Sequence, residues 1–250
     1  MQVEVCLAGK YVHEELLRER IAVVIDVLRA SSTIITALEH GARAVIPVAD
    51  MAQAGKIASN LEPDTFLLGG EREGLKIEGY HLGNSPLEYT PEKIKDRVII
   101  LNTSNGTARI EQAKEAAEVI VAGFLNAAAV VDYLRHADRD VILLCAGNHG
   151  RVALEDTLCA GLLAARLWEN VEPPVPTDGA RIAYTLYTRY RNNLAEAVAA
   201  GEHARHLKRL GFEADISYCT HIDVSTIVPV YRESRLIAQS LFAQPSEVVR

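Results

Sequence analysis

The chain has 250 residues, 49% of them hydrophobic and 24% charged, and its 26 basic and 33 acidic side chains leave a net charge of −7. That length suits one large α/β domain or two small ones with a substantial core, at ordinary globular composition. The acidic balance argues against bulk binding of nucleic acid or an anionic membrane, which want a basic surface, while leaving room for a locally positive pocket.

The opening MQVEVCLAGK alternates like a strand and lacks a basic run followed by an apolar one. Strand-like runs of Val, Ile and Leu then recur near Val3–Leu7, Ala22–Val27, Ala44–Val48, Phe66–Leu68, Val98–Leu101, Val119–Val121 and Val141–Leu144. Between them lie helical patterns over Ser32–His40, Met51–Asn60, Thr107–Ala117, Asn126–Arg135 and Val152–Asn170. Near-continuous apolar strands alternating with helices predict a three-layer α/β/α fold with a mainly parallel or mixed sheet. One domain over 1–250 is expected. The Pro-rich stretch Glu172–Thr177 (EPPVPT) offers a subdomain boundary near 171–177, because prolines forbid a helix there. After it come helical patterns over Asp178–Ala200 and Gly201–Leu210, a turn at Gly211 and a short strand around Asp215–Cys219. The longest apolar stretch, Val119–Val131, has 13 residues and includes Asn126, too short to span a bilayer. The four cysteines (Cys6, Cys145, Cys159, Cys219) form no CxxC pair, so a reduced, cytoplasmic protein is expected.

Three times an apolar strand runs through a short polar loop straight into a helix: Val23–Leu38, Val98–Ile110 and Val141–Gly161. Such junctions build sites at the carboxyl ends of strands, and free N–H groups at a helix start favour anions. The first two share the order strand, polar turn, Thr-containing helix start, Ala-rich helix, strand. In the first, Asp26 ends the strand and is followed by Arg29 and by Ser31, Ser32 and Thr33. The carboxylate is placed to hold Mg²⁺ or attack phosphorus, and the hydroxyls either bind phosphoryl oxygens or cap the helix. In the second, Asn105-Gly106-Thr107 reads as a tight turn or as a phosphate-cradling loop whose glycine admits an oxyanion. The absence of a Walker pattern points away from nucleoside triphosphates.

The third junction offers two chemistries. Cys145 and Arg151 are separated by five residues (CAGNHGR, C-x5-R), the spacing of thiol phosphatases, although a cysteine at a buried strand end is usually a small hydrophobe. Glu155 and Asp156 begin the next helix, as metal ligands or as complements to its dipole. Adjacent helical positions differ by about 100°, so only one of them can face a given point. Cys159, Ala160, Gly161, Ala164 and Ala165 predict close packing of that helix on the sheet. The irregular stretch Gly69–Thr90 concentrates charge around glycines, with Arg72 as a candidate oxyanion clamp. The tail residues His206, His221 and Asp223 carry little weight alone.

Together these segments resemble the ComB family, the 2-phosphosulfolactate phosphatases. The resemblance rests on IDVLRASSTIITAL (Ile25–Leu38), GERE-G-KI-GYHLGNSP-EY (Gly70–Tyr89), TSNGTA (Thr103–Ala108), GFLNAAAV (Gly123–Val130), CAGNHG with LEDTLCAG (Cys145–Gly161), and a tail that begins at His203 or His206 and continues L-x2-LGFEADI-x2-C (Leu207–Cys219). It implies an α/β fold of its own type and Mg²⁺-dependent hydrolysis of 2-phospho-3-sulfolactate, or a related small phospho-acid, to 3-sulfolactate and phosphate, a step toward coenzyme M. It also carries over Asp26, Arg29, Ser32, Thr33, Glu71, Arg72, Asn84, Ser85, Asn105, Gly106, Thr107, Glu155 and Asp156 as candidate site residues, without individual roles. The expected partners are a small anionic phospho-acid and no nucleic acid or membrane, with a homodimer left open. The reading favoured is metal-assisted phosphoryl transfer: catalytic Asp26, Arg29 and Arg72; substrate held by Ser31, Ser32, Thr33, Asn84, Ser85, Asn105, Gly106 and Thr107; Mg²⁺ held from among Asp26, Glu71, Glu155 and Asp156. A metal-independent thiol phosphatase using Cys145 and Arg151, and a non-catalytic anion-binding protein, are the alternatives.

Overall fold

The computed structural model describes residues 1–8, 12–169 and 175–239. Its strands are β1 (Val3–Cys6), β2 (Ile21–Ile25), β3 (Ala44–Pro47), β4 (Phe66–Arg72), β5 (Leu75–Lys76), β6 (Val98–Asn102), β7 (Glu118–Ala122), β8 (Val141–Cys145), β9 (Val228–Arg232) and β10 (Arg235–Gln239). Its helices are α1 (Glu14–Leu17), α2 (Ala30–Glu39), α3 (Met51–Ala58), α4 (Pro91–Ile94), α5 (Gly106–Gln112), α6 (Ala127–Ala137), α7 (Leu154–Leu167), α8 (Asp178–Tyr190), α9 (Leu194–Ala199), α10 (Glu202–Arg209) and α11 (Glu213–Cys219).

The ten strands form one mixed sheet in the order β1-β8-β2-β7-β9-β10-β3-β6-β4-β5. Two parallel blocks, β1-β8-β2-β7 and β3-β6-β4, are joined by the antiparallel β9–β10 hairpin. The hairpin runs antiparallel to β7 on one side and to β3 on the other. β2 and β8 are buried along their whole length, the pattern of strands covered on both faces.

Alternate residues of each strand feed opposite layers. Val24, Ile142, Ile99 and Leu101 pack with α2 and α5 on one face of the sheet. Val23 and Leu143 face α6, α7 and α8 on the other, and Ile100 faces α3. This is the expected three-layer α/β/α arrangement. α2 is buried from Ala30 to Leu38, far more than one apolar stripe, because strand, helix and loop enclose it on all sides.

Two local expectations differ. The run Asp215–Cys219 is helical, as part of α11, and not a strand. Phe212, Ile216 and Cys219 recur at helical spacing and put one face against the α7–α9 layer. The small-residue face of α7 meets a helix as well as the sheet: a Cβ on Gly161 would overlap the Ala183 carbonyl oxygen and lie 2.6 Å from Tyr187 Cβ on α8. Of the Pro-rich stretch, Glu172–Pro174 lies outside the described residues; the elements on either side of it, α7 and α8, share one apolar cluster. No helix among the described residues is long and apolar enough to cross a membrane.

The connection from α11 to β9 is tied down by Asp223. Its carboxylate accepts two bonds from Arg166 on α7, at 2.8 and 2.6 Å, and one from the Ala128 N–H in the first turn of α6, at 2.7 Å. Partial burial acts to raise the Asp223 pKa, but the guanidinium and the amide outweigh it and hold the carboxyl below its ordinary value. A depressed folded-state pKa contributes stability above the unfolded-state value, and the contribution is lost as pH falls through the folded one. Asp223→Ala should therefore cost about 0.5–1 kcal/mol near pH 7 after allowance for solvent screening. Thermal melts of variant and parent should converge as pH falls through the depressed folded-state value, where the carboxylate protonates. Identical melts at pH 7 would show that the tie contributes nothing.

Candidate active site

At the first junction the chain turns from β2 into α2 by satisfying its own backbone. Asp26 N–H donates to Ser31 Oγ at 2.9 Å, Ser31 N–H to the Asp26 carbonyl at 2.8 Å, and Ala30 N–H to Asp26 Oδ1 at 3.3 Å. Ser32 Oγ donates to the Val27 carbonyl and Thr33 Oγ1 to the Asn84 carbonyl, each at 2.9 Å. The three hydroxyls expected to hold phosphoryl oxygens are thus buried and bonded to backbone, and none of them lines the cleft described below. At the second junction Thr107 behaves likewise, its Oγ1 donating to the Thr103 carbonyl at 2.9 Å. Gly106 permits a close approach between junctions: a Cβ there would stand 2.6 Å from Ala30 Cβ and 2.7 Å from Asp26 Oδ2.

These loops surround a cleft whose walls include Asp26, Arg29, Glu71, Asn84, Ser104, Asn105, Asn148, His149, His203 and His206. All three junctions, the loop after β4 and helix α10 therefore contribute. Of the candidate residues, Asp26, Arg29, Glu71, Asn84 and Asn105 line it. Ser31, Ser32, Thr33, Ser85, Gly106, Thr107, Glu155 and Asp156 stand behind that wall, and Arg72 is exposed outside it, with Nη1 on the Glu71 carbonyl at 2.8 Å.

Buried carboxylates dominate the electrostatics. Burial first, then the Glu71 and Glu155 charges, push Asp26 up to about 6, against the pull of His203 and the Ala30 amide. Asp156 is driven well above the ordinary carboxylate value by burial and by Glu155 and Asp26. Both its oxygens are engaged nonetheless, Oδ1 by Val27 N–H at 2.8 Å and Oδ2 by Gly147 N–H at 3.0 Å. Glu71 does the same for the neighbouring loops, accepting Ser104 N–H at 2.7 Å and Gly74 N–H at 2.8 Å. Glu155 Oε1 meets His203 Nδ1 at 3.2 Å, and its Oε2 is buried without a hydrogen-bond partner. Burial acts to lower the His203 pKa, but the Glu155 bond and charge, with Asp26 behind them, reverse that and raise it.

The Arg29 guanidinium donates from Nη1 to Asp215 Oδ2 and from Nη2 to the Gly74 carbonyl, both at 2.6 Å, and lies 4.1 Å over the Phe212 ring. Cys145 and Arg151 do not form a thiolate site. The Cys145 thiol is fully buried and its pKa pushed well up, by burial and then by Asp156, whereas a nucleophilic thiolate needs the opposite shift. Arg151 points to the surface and pairs with Glu202 at 2.7 Å.

Among the described residues, no three or more His, Cys, Asp or Glu side chains converge as a ready-made metal cage. Mg²⁺ in phosphoryl-transfer sites takes only one or two carboxylates and fills its octahedron with water and phosphate oxygens. A carboxylate raised by burial and then by its acidic neighbours, in a cleft also lined by Asn84 with its unpartnered Oδ1, fits that donor set.

A model of the 2-phosphosulpholactate phosphatase family matches residues 6–234. The chain belongs to that family. Among its relatives, the "Probable 2-phosphosulfolactate phosphatase" of Caldanaerobacter subterraneus subsp. tengcongensis is 43% identical over 213 residues, 85% of this chain and 88% of the relative. Proteins described in the same words from Thermotoga petrophila and Symbiobacterium thermophilum are 46% identical over 210 residues and 41% over 223. These matches cover 84% and 89% of this chain, and 88% and 96% of the relatives.

The sequence reading placed His203 and Asp215 in the tail pattern but named neither as a site residue. A signal for the first was present: His203 and His206 stand three apart on α10, and residues so spaced share a helix face, here the one toward the cleft. The pairing of His203 with Glu155, 48 residues away, has no sequence signature. Asp215 was hidden by the strand reading of α11.

Asp156→Ala should remove the partner of two buried amides, worth about 1–3 kcal/mol each, while relieving repulsion with Asp26 and Glu155. A net loss of about 1–3 kcal/mol in urea unfolding is expected. A variant as stable as the parent would mean that the loops after β2 and β8 are held by something else.

Proposed function

We propose that the protein is a Mg²⁺-dependent phosphatase that hydrolyses 2-phospho-3-sulfolactate, or a closely related small phospho-acid, to 3-sulfolactate and phosphate. The observation that carries this reading is the cleft itself. It joins a buried, charge-stressed Asp26 to a fixed arginine in a member of a family described by that reaction. A purely anion-binding protein gains nothing from clustered carboxylates beside its ligand, since each repels the anion unless a cation intervenes.

Asp26 and Glu71, the two expected carboxylates on the cleft wall, would hold the metal, with the Asn84 amide oxygen as a further donor. Bound there, Mg²⁺ supplies positive charge that offsets the charge gathering on the phosphoryl oxygens. Arg29 offers guanidinium N–H groups to the substrate's oxyanions. Asn105 borders the same space and orients the phosphoryl group by hydrogen bonding. His203 and His149 face the cleft as polar partners for the second acidic group of a doubly anionic substrate. Water is the final acceptor of the phosphoryl group. Asp26 serves either as the base that orients that water or as a transient acceptor.

Purified protein should release phosphate from 2-phospho-3-sulfolactate with Mg²⁺ and lose that activity in EDTA. Asp26→Asn, isosteric at a buried position, should lower kcat by roughly 10²–10⁴-fold while the protein stays folded. Release that persists in EDTA would overturn the metal requirement. Phospho-acids bound tightly but left intact across a panel would make the protein a binder.

A further inference from the structure

We propose that Asp215 is a positioning residue of the cleft: its carboxylate fixes Arg29 and Ser85 in the arrangement that receives the substrate's anionic end. The inference rests on the phosphatase reading and adds to it a residue outside the three strand–helix junctions. Asp215 lies on α11, 186 residues beyond Arg29 and 130 beyond Ser85. Its two oxygens are divided between them: Oδ2 accepts Arg29 Nη1 at 2.6 Å and Oδ1 accepts Ser85 Oγ at 2.7 Å. The Arg29 and Asp215 side chains are 2% and 4% exposed, so the pair is shielded from water and salt.

A long arginine side chain has many rotamers, and a buried one without a partner is costly. Here each degree of freedom is removed by a separate contact. Asp215 holds one terminal nitrogen, the Gly74 carbonyl holds the other, and Phe212, three residues before Asp215, lies 4.1 Å under the guanidinium plane. A guanidinium has five N–H donors. Two are taken by these bonds, and the rest remain for a ligand at a residue that lines the cleft. Ser85 extends the grip to the loop that carries Asn84, whose carbonyl is in turn held by Thr33. The α10–α11 tail therefore places the arginine that the first junction supplies. An asparagine at 215 would keep one acceptor oxygen and lose the second, along with the charge.

The test is a double-mutant cycle of Asp215→Asn and Arg29→Ala, read as kcat/KM for 2-phospho-3-sulfolactate and as affinity for inorganic phosphate by calorimetry, each per mole of folded protein. In the parent background Asp215→Asn should lower kcat/KM and phosphate affinity by about 10–100-fold, the cost of a misplaced clamp. In the Arg29→Ala background the same change should cost less than about threefold, since no clamp is left to misplace. Equal losses in both backgrounds, or unchanged values per folded molecule, would overturn the proposal and leave Asp215 as a packing residue. Should Asp215→Asn fail to fold, Ser85→Ala cuts only the Oδ1 bond and should still weaken phosphate binding in an Arg29-dependent way; independence from Arg29 would be the refutation. A parent protein that hydrolyses no phospho-acid sinks the phosphatase reading alone, because phosphate binding still reports the coupling. A parent that neither hydrolyses nor binds phosphate sinks both.

Discussion

Asp156 is the constraint on which the rest of the site depends. β2 and β8 are adjacent parallel strands, so the loops that follow them leave the sheet on the same side, and this one carboxylate bonds an amide of each. It stands in the first turn of α7, where helix N–H groups favour negative charge. Two further contacts close the triangle. Arg109 on α5 donates from Nε and Nη2 to the Cys145 carbonyl, at 3.0 and 2.7 Å, binding the second junction to the third. Gly106 lets the start of α5 press against Asp26 and Ala30, binding the second to the first. Every pair of junctions is thus joined by a buried contact that a larger or differently charged side chain would break.

The same contacts create the tension that gives the site its chemistry. Asp26, Glu71, Glu155 and Asp156 are all buried, and Asp26 and Asp156 are each pushed upward by burial and by other carboxylates of this set. Burying charge is expensive, and placing like charges together adds to the cost. Asp156 and Glu71 recover part of it through paired amide donors, Glu155 through His203. Asp26 recovers least, with a single 3.3 Å amide bond on one oxygen, and like Glu71 it faces the cleft. The stress therefore collects at the carboxylate that a substrate or cation would relieve.

Most of the fold is legible in the sequence because its strands are apolar runs of ordinary length and its helices are amphipathic or small-residue patterns. The failures have local causes. The β9–β10 hairpin turns through Glu233 and Ser234, both at positive φ (47° and 62°), where Asn-Gly would have announced the turn. Pro229 inside β9 also argues against a strand. α11 is short, and its helical spacing of Phe212, Ile216 and Cys219 is masked by the preceding glycine turn. The missed hairpin matters most, since it is what joins two parallel blocks into one sheet.

The site was legible at the level of segments and less so at the level of side chains, for a reason that lies in how a strand becomes a helix. Leaving a buried strand exposes backbone groups that must be paired at once. Ser31, Ser32, Thr33 and Thr107 carry out that pairing, so hydroxyls that look like phosphate ligands in a sequence are consumed by the turn. What the turn then delivers to the cleft is the neighbouring residue with a longer reach: Asp26 and Arg29 at the first junction, Asn105 at the second. Composition at a junction reports both populations together, and only the direction of each side chain separates them. The same logic applies to Arg72 and Arg29. Both are arginines in polar loops, yet one ends in solvent and the other is held on three sides by Asp215, Gly74 and Phe212. That difference comes from the tail helix, whose position no local pattern around either arginine encodes.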